Sequence, residues 1–145
     1  TRHVGFEVVP TPGHCPGHVA LVEPAAGWCF SGDLYIPRKP VLHRYLEGDI
    51  TETVRSMEKL IELDTERLVL FTSPGRIVED GRAALRARIG YYQDMSAKAK
   101  RLQKSGLSTA AIRDELFGME SPIAEATGGD ISSEHFVRAL LSADI

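Results

Sequence analysis

A segment rich in proline and glycine, Thr11-Pro-Gly-His-Cys-Pro-Gly-His18, constrains the fold of this chain more than any other feature. Proline fixes the backbone and glycine permits sharp turns, so the segment predicts a rigid loop between short apolar runs. A second motif, Phe30-Ser-Gly-Asp33, ends another apolar run. Because imidazole and carboxylate groups bind catalytic divalent metals, His14 and Asp33 are candidate metal ligands. Zinc takes at least three protein ligands, so these two do not complete a site alone.

The composition is that of one ordinary globular domain. Hydrophobic residues make up 43% of the 145 positions, charged residues 26%, and the net charge is −3. The basic residues are scattered, so we expect no nucleic-acid partner. No apolar run is long enough for a membrane span, and no signal-peptide pattern opens the chain. Cys15 and Cys29 lack CxxC spacing and form no disulfide framework, which favours a cytoplasmic location.

The first part of the chain predicts strands and one helix. Apolar runs bounded by turn residues indicate strands at Phe6–Val9, Val19–Val22, Trp28–Phe30 and Leu68–Phe71, the middle two joined as a hairpin. These runs hardly alternate, which predicts strands covered on both faces. Residues 34–48 are expected to form a surface loop, and Asp49 with Glu52 predicts a capped helix near 50–63.

The remainder of the chain predicts helices, so we divide it into a β-rich α/β part, residues 1–78, and a helical C-terminal part, residues 79–145. Ser108 and Ser132 are expected to cap two of these helices, and Gly118 follows the first of them. On the long helix, three side chains are expected to pack in the core or between helices rather than to line a substrate pocket, and three are expected on a solvated face. The former are Tyr91, Tyr92 and Met95; the latter are Arg82, Arg86 and Arg88.

The two motifs resemble those of the metallo-β-lactamase superfamily, which includes the glyoxalase II-like hydrolases. Thr11–His18 and Phe30–Asp33 are similar to its Thr-Pro-Gly-His and Phe-Ser/Thr-Gly-Asp segments, in the same order. The resemblance extends through residues 49–85 and the helical tail. It implies an α/β fold: the C-terminal half of an αββα sandwich, a mixed sheet plus helices, with an α-helical C-terminal tail.

The resemblance also implies roles for individual residues. His14 would complete a three-histidine metal site, and Asp33 would bridge two ions of zinc or of another divalent metal such as iron or manganese. Four residues would contact the ligands or stabilise their loops: Thr11, Gly13, His18 and Gly32. A further histidine usually follows the strand that matches Leu68–Phe71. Pro74 or Arg76 holds that position here, and neither side chain can bind a metal. One metal ion, or two of unequal affinity, is therefore expected.

Activity is expected of a longer parent protein. The chain opens at Thr1 without an initiator methionine, and nothing in it matches the superfamily's His-X-His-X-Asp-His segment. The parent would use a metal-activated hydroxide to hydrolyse a thioester, lactone, amide or phosphodiester in a small-molecule substrate. This chain alone is expected to be inactive and to cover its open sheet by self-association or by pairing with the N-terminal half.

Two alternatives stay open. The protein could be a degenerate, non-catalytic member of the superfamily that serves as a binding or regulatory module. Cys15, beside His14, could be an auxiliary ligand, although a small loop residue is the simpler interpretation. Cys29, inside an apolar run, is expected in the core.

Overall fold

A computed structural model describes residues 5–37, 42–43, 49–120 and 122–145. The strands are β1 (Glu7–Pro10), β2 (Val19–Glu23), β3 (Trp28–Gly32), β4 (Leu42–His43), β5 (Val69–Thr72), β6 (Ile77–Val78) and β7 (Ile131–Ser132). The helices are α1 (Ile50–Ile61), α2 (Gly81–Lys104), α3 (Thr109–Phe117), α4 (Pro122–Ala126) and α5 (Ser133–Ser142). The predicted mixed α/β fold with a helical C-terminal tail is confirmed.

The main sheet has five strands in the order β1-β2-β3-β5-β6. β3 and β5 are parallel and connected through α1, whereas the other neighbouring strands are antiparallel. The carboxyl ends of β3 and β5 therefore meet at one edge of the sheet. The register between them shifts at a bulge between Phe30 and Gly32, just before Asp33. The four predicted strands are present, within one or two residues at their ends.

The short elements were not predicted. β6, α4 and the two-stranded sheet of β4 and β7 have two to five residues each. Such short elements are marginal on their own, and strand pairing holds β4, β6 and β7 in place. The predicted surface loop 34–48 is wrong at Leu34, which is 2% exposed, and at Leu42–His43, which pairs with β7. Residues 38–41 and 44–48 of this loop lie outside the described residues.

Three helices begin at the caps that the sequence predicted. The Asp49 side chain accepts a hydrogen bond from the Glu52 N–H, that of Ser108 from Ala111, and that of Ser132 from His135. These bonds satisfy backbone donors that the first helical turn leaves without an intrahelical partner. None of the described helices combines the length and the apolar character needed to cross a bilayer.

One hydrophobic core joins both parts of the chain. Side chains from the sheet, α1, α2 and α5 are almost completely buried in it; among them are Ala20, Val22, Cys29, Met57, Leu60, Leu70, Leu85, Phe136 and Leu140. Tyr92 is 6% exposed and its ring lies 5.9 Å from that of Phe136. Cys29 and Tyr92 lie in the core as expected, and Tyr91 and Met95 are partly buried against it. The division at residues 78 and 79 stays a prediction.

The opposite face of the sheet is open. We call the side chains of Phe6, Val8, Val19, Leu21, Trp28, Phe30 and Ile77 the open face; each is at least 38% exposed. Their partners one position along the strands point into the core, so β2 and β3 do alternate. The expectation of strands covered on both faces is therefore wrong within the described chain. The uncovered face matches the expectation for half of a sandwich.

The predicted solvated arginine face is wrong at two of its three positions. Arg82 donates hydrogen bonds to the carbonyls of Ile61, Leu63 and Thr65, at and just beyond the end of α1. Arg88 donates to the Ile36 carbonyl at 2.8 Å. Both guanidinium groups thus connect α2 to neighbouring segments, and Arg86 alone of the three is exposed. Long side chains reach across element boundaries, which helical spacing does not reveal.

Candidate metal centre

His14 and Asp33 lie side by side. The His14 Nε2 atom is 3.6 Å from the Asp33 Oδ2 atom, and the two side chains are 30% and 43% exposed. His14 belongs to the loop between β1 and β2, and Asp33 directly follows β3. The site therefore occupies the sheet edge at which β3 and β5 end, and solvent reaches it.

Hydrogen bonds close the loop that carries His14 and connect it to α1. The Thr11 N–H donates to the His18 carbonyl at 2.9 Å, which closes the loop. Asp49 at the start of α1 donates its N–H to the Gly13 carbonyl, also at 2.9 Å. Gly13 has φ +132°, and a Cβ there would lie only 2.5 Å from the Thr53 backbone nitrogen. Only glycine fits this close approach.

His18 connects the two motifs through both ring nitrogens. Its Nε2 accepts from the Asp33 N–H at 3.2 Å, so Nδ1 carries the proton of the neutral ring. Nδ1 donates to the Thr11 carbonyl at 3.0 Å and lies 2.8 Å from Thr11 Oγ1. Burial lowers the pKa of His18, while the bond to the Thr11 carbonyl opposes this shift. Gly32, at φ +51°, leaves room for the ring, since a Cβ there would lie 2.7 Å from Nε2.

The turn after β5 supplies a contact that the sequence did not indicate. The Ser73 hydroxyl donates to Asp33 Oδ1, and the Ser73 N–H donates to the Gly32 carbonyl at 3.4 Å. Arg76 is engaged elsewhere, through a backbone N–H that donates to Thr72 Oγ1 at 3.2 Å. One signal could have indicated Ser73: residues that follow two parallel strands meet at the same edge of a sheet.

The positions of His14 and Asp33 suit a shared cation. Two ligand atoms of a tetrahedral zinc ion lie about 3.4 Å apart, because each is about 2.0–2.2 Å from the metal. The observed 3.6 Å is close to this separation. In the part of the chain that the structure describes, no group of three or more His, Cys, Asp or Glu side chains could hold a metal ion. The described residues thus bring two candidate ligands together, and Cys15, next to His14 in the sequence, is a partly exposed free thiol.

The His135 ring has its hydrogen-bond partner elsewhere. The His135 ring contacts the Gly129 carbonyl at 3.0 Å, in the turn before β7. His3 and the side chain of His43 lie outside the described residues.

The sequence profile of the metallo-beta-lactamase superfamily matches residues 2–72. Among solved structures, a beta-lactamase domain protein from Burkholderia ambifaria is 22% identical, with a TM-score of 0.71 over 97% of this chain and 44% of its own. A metallo-beta-lactamase family protein from Thermus thermophilus is 20% identical, with a TM-score of 0.64 over 77% of this chain and 38% of its own. TTHA1623 in a di-iron-bound form is 34% identical over 58% of this chain and 42% of its own, with a TM-score of 0.45.

Among curated proteins, none matches the chain. The chain spans less than half the length of each of the structures named above. The match of the superfamily profile covers both motifs, and the likeness in fold extends over the helical part. Residues 2–72, which carry both motifs, belong to the metallo-beta-lactamase superfamily by this profile match.

Proposed function

We propose that the chain is the C-terminal part of a metal-dependent hydrolase, with His14 and Asp33 as metal ligands. The observation that carries this proposal is the 3.6 Å separation between His14 Nε2 and Asp33 Oδ2 at an accessible sheet edge. Membership of the superfamily supports a metal-dependent hydrolase-like domain. Because the chain spans less than half of the solved structures, the remaining ligands belong to a longer parent protein.

The residues of the site have distinct tasks in this proposal. A bound divalent metal, zinc or alternatively iron or manganese, supplies Lewis acidity and lowers the pKa of water. His14 offers Nε2 and Asp33 offers Oδ2 as ligand atoms, and their partial exposure leaves room for a substrate. His18, Thr11, Gly13 and Gly32 hold these ligands in place through the hydrogen bonds and close approaches described above. The substrate class is a small-molecule thioester, lactone, amide or phosphodiester.

We further propose that the chain does not turn over substrate by itself. A catalytic zinc site takes three protein ligands, whereas the described residues bring two together. Metal binding by the isolated chain is accordingly expected to be weak, and hydrolysis absent. Addition of the N-terminal half in the parent protein would restore both.

The test is the metal content and hydrolytic activity of the parent protein, compared with its His14→Ala variant. We expect one or two metal ions per parent chain, and a large loss of bound metal and of turnover in the variant. His135→Ala is the matched control, because His135 is distant from the site in sequence and its ring contacts the Gly129 carbonyl. A parent protein that binds no metal, and is unaffected by His14→Ala, would contradict the proposal.

The second candidate is a binding or regulatory module that has lost catalysis. The turn that follows β5 carries Ser73, Pro74, Gly75 and Arg76 and no histidine, which favours this candidate. The same measurements discriminate the two. A parent that binds metal but hydrolyses none of the four substrate classes supports the module, whereas turnover that depends on His14 supports the enzyme.

The open face supports a partner proposal. Three of its seven side chains are aromatic: Phe6 meets Phe30 edge-on at 5.6 Å, and Phe30 stacks on the neighbouring Phe71 at 4.8 Å. Exposed apolar clusters of this kind favour burial against another surface. We propose that the N-terminal half covers this face in the parent, and a second copy covers it in the isolated chain.

Light scattering of the isolated chain tests this. We expect a dimer that Phe30→Glu converts to a monomer, while the equally charged Ile123→Glu, outside the open face, leaves it a dimer. A wild-type monomer at all concentrations would contradict the proposal.

For the location, we propose a reducing compartment such as the cytoplasm. Both cysteines are free thiols, and Cys29 is completely buried. Free thiols persist where glutathione and thioredoxin keep them reduced. Thiol titration of the protein directly after cell lysis would give two thiols per chain in this case.

A further inference from the structure

The turn between β5 and β6 is tied to the turn that carries Asp33. Two bonds join them: the Ser73 hydroxyl donates to Asp33 Oδ1, and the Ser73 N–H donates to the Gly32 carbonyl. The register pairs Gly32 with Thr72, so each turn begins at the same level of the sheet. Ser73 and Asp33 therefore follow directly from paired positions on parallel strands.

The two oxygens of the Asp33 carboxylate face different partners. Oδ1 accepts the Ser73 hydrogen bond, and Oδ2 lies 3.6 Å from His14 Nε2. A carboxylate fixed through one oxygen cannot rotate freely about its last torsion angle. The Ser73 bond thus directs Oδ2 toward His14.

The turn itself is rigid enough for this task. Thr72 Oγ1 donates to the Arg76 carbonyl at 3.1 Å and accepts from the Arg76 N–H at 3.2 Å. The Thr72 carbonyl accepts from Gly75, whose φ of +76° suits glycine. Pro74 fixes a further backbone angle. Ser73 consequently projects from a turn that these hydrogen bonds hold in a fixed conformation.

We propose that Ser73 is a positioning residue of the candidate metal centre, which holds Asp33 so that its free oxygen and His14 share a single cation. This inference rests on the proposed metal binding by His14 and Asp33. It adds a residue outside the two motifs and assigns one cation to this pair of ligands. Hydrogen-bond partners of metal ligands typically contribute about 10–100-fold to metal affinity.

The test is a titration of the chain with Co²⁺, carried to the high concentrations that weak binding by two ligands requires and followed by calorimetry and by the visible absorption of the bound ion. A wild-type chain that binds no Co²⁺ would overturn the inference. The decisive pair is Ser73→Thr and Ser73→Val, which have the same shape and differ only in the hydroxyl group. We expect one Co²⁺ per chain, an affinity near the wild-type value for the threonine variant, and a loss of about 10–100-fold for the valine variant. The absorption bands should also shift in the valine variant, since a changed carboxylate geometry alters the ligand field.

Two controls separate the possible outcomes. Ser105→Ala removes an exposed serine hydroxyl that bonds to the Leu102 carbonyl, and it should leave Co²⁺ binding unchanged. Thermal unfolding of each variant establishes that it is folded during the titration. Equal Co²⁺ affinity and spectra for the threonine and valine variants, or two ions per chain, would overturn the inference about Ser73. If the His14→Ala variant also binds Co²⁺ like the wild type, the proposed function fails as well. If His14→Ala loses Co²⁺ binding and the Ser73 variants bind like the wild type, the proposed function stands and only the inference about Ser73 fails.

Discussion

The two faces of the main sheet share the same strands but differ in what covers them. On the helix side, Ala20, Cys29 and Leu70 are completely buried beneath α1 and α2. On the open face, Leu21 and Phe30 are about as apolar but 40% and 42% exposed. The candidate metal centre lies at the edge between them, where β3 and β5 end.

The hydrophobicity of a strand residue therefore does not by itself reveal whether its side chain stabilises the folded chain. The helix side contributes the free energy of folding of this chain, because its side chains leave water when the chain folds. The open face contributes to folding only through its contacts within the sheet. Its larger contribution is expected on association. Substitutions on the helix side should therefore lower the free energy of unfolding more than substitutions on the open face.

The strongest contrast is between two leucines. Leu70→Ala on the helix side should lower the free energy of unfolding by about 2–5 kcal/mol, since it leaves a cavity in the core. Leu21→Ala on the open face should cost about 1 kcal/mol, because much of its side chain remains in water. Urea unfolding at a protein concentration that keeps the chain monomeric measures both. Similar losses for the two variants would break the comparison.

Alkaline pH should also act on the helix side. Burial raises the pKa of the Cys29 thiol from 9.0 to about 12. The native state therefore keeps its proton where the unfolded state loses it, so stability is intact below pH 9 and declines as the pH rises toward 12. Between pH 9 and 11 we expect a loss of about 2–3 kcal/mol from this group. The matched control is Cys29→Ala, in which this part of the pH dependence should vanish; an unchanged profile would contradict the burial of the thiol.

A smaller effect is expected at the edge between the faces. Thr11→Val removes the hydroxyl group that lies 2.8 Å from His18 Nδ1 and should cost about 1 kcal/mol of stability. Because His18 also accepts from the Asp33 N–H, the Asp33 amide should exchange faster with solvent. Hydrogen exchange followed by NMR measures this. An Asp33 amide that exchanges at the wild-type rate would show that Thr11 does not support the connection.

Much of the fold could be predicted because the signals are local. The caps Asp49, Ser108 and Ser132 act within one helical turn, and those helices begin where predicted. The pair β4–β7 depends instead on contact between distant parts of the chain, and β6, which pairs locally with β5, has only two residues. The same reason explains the errors at Arg82 and Arg88, whose hydrogen-bond partners lie on other elements.

The candidate site divides in the same way. His14 and Asp33 lie in motifs, and the resemblance to the superfamily predicted that they converge, as the structure now places them. Ser73 belongs to no motif, and its contact with Asp33 follows only from the parallel pairing of β3 and β5. Their roles as ligands and as a positioning residue stay predictions.

The most direct measurement of the central claim is a Zn²⁺ titration of the chain labelled with ¹⁵N in its histidine rings. We expect the Nε2 resonance of His14 to shift on Zn²⁺ binding, while those of His18 and His135 keep their positions because other partners occupy these rings. Asp33→Asn should abolish the shift of His14. A His14 resonance that does not respond to Zn²⁺, or responds equally in Asp33→Asn, would contradict a cation shared by the two side chains.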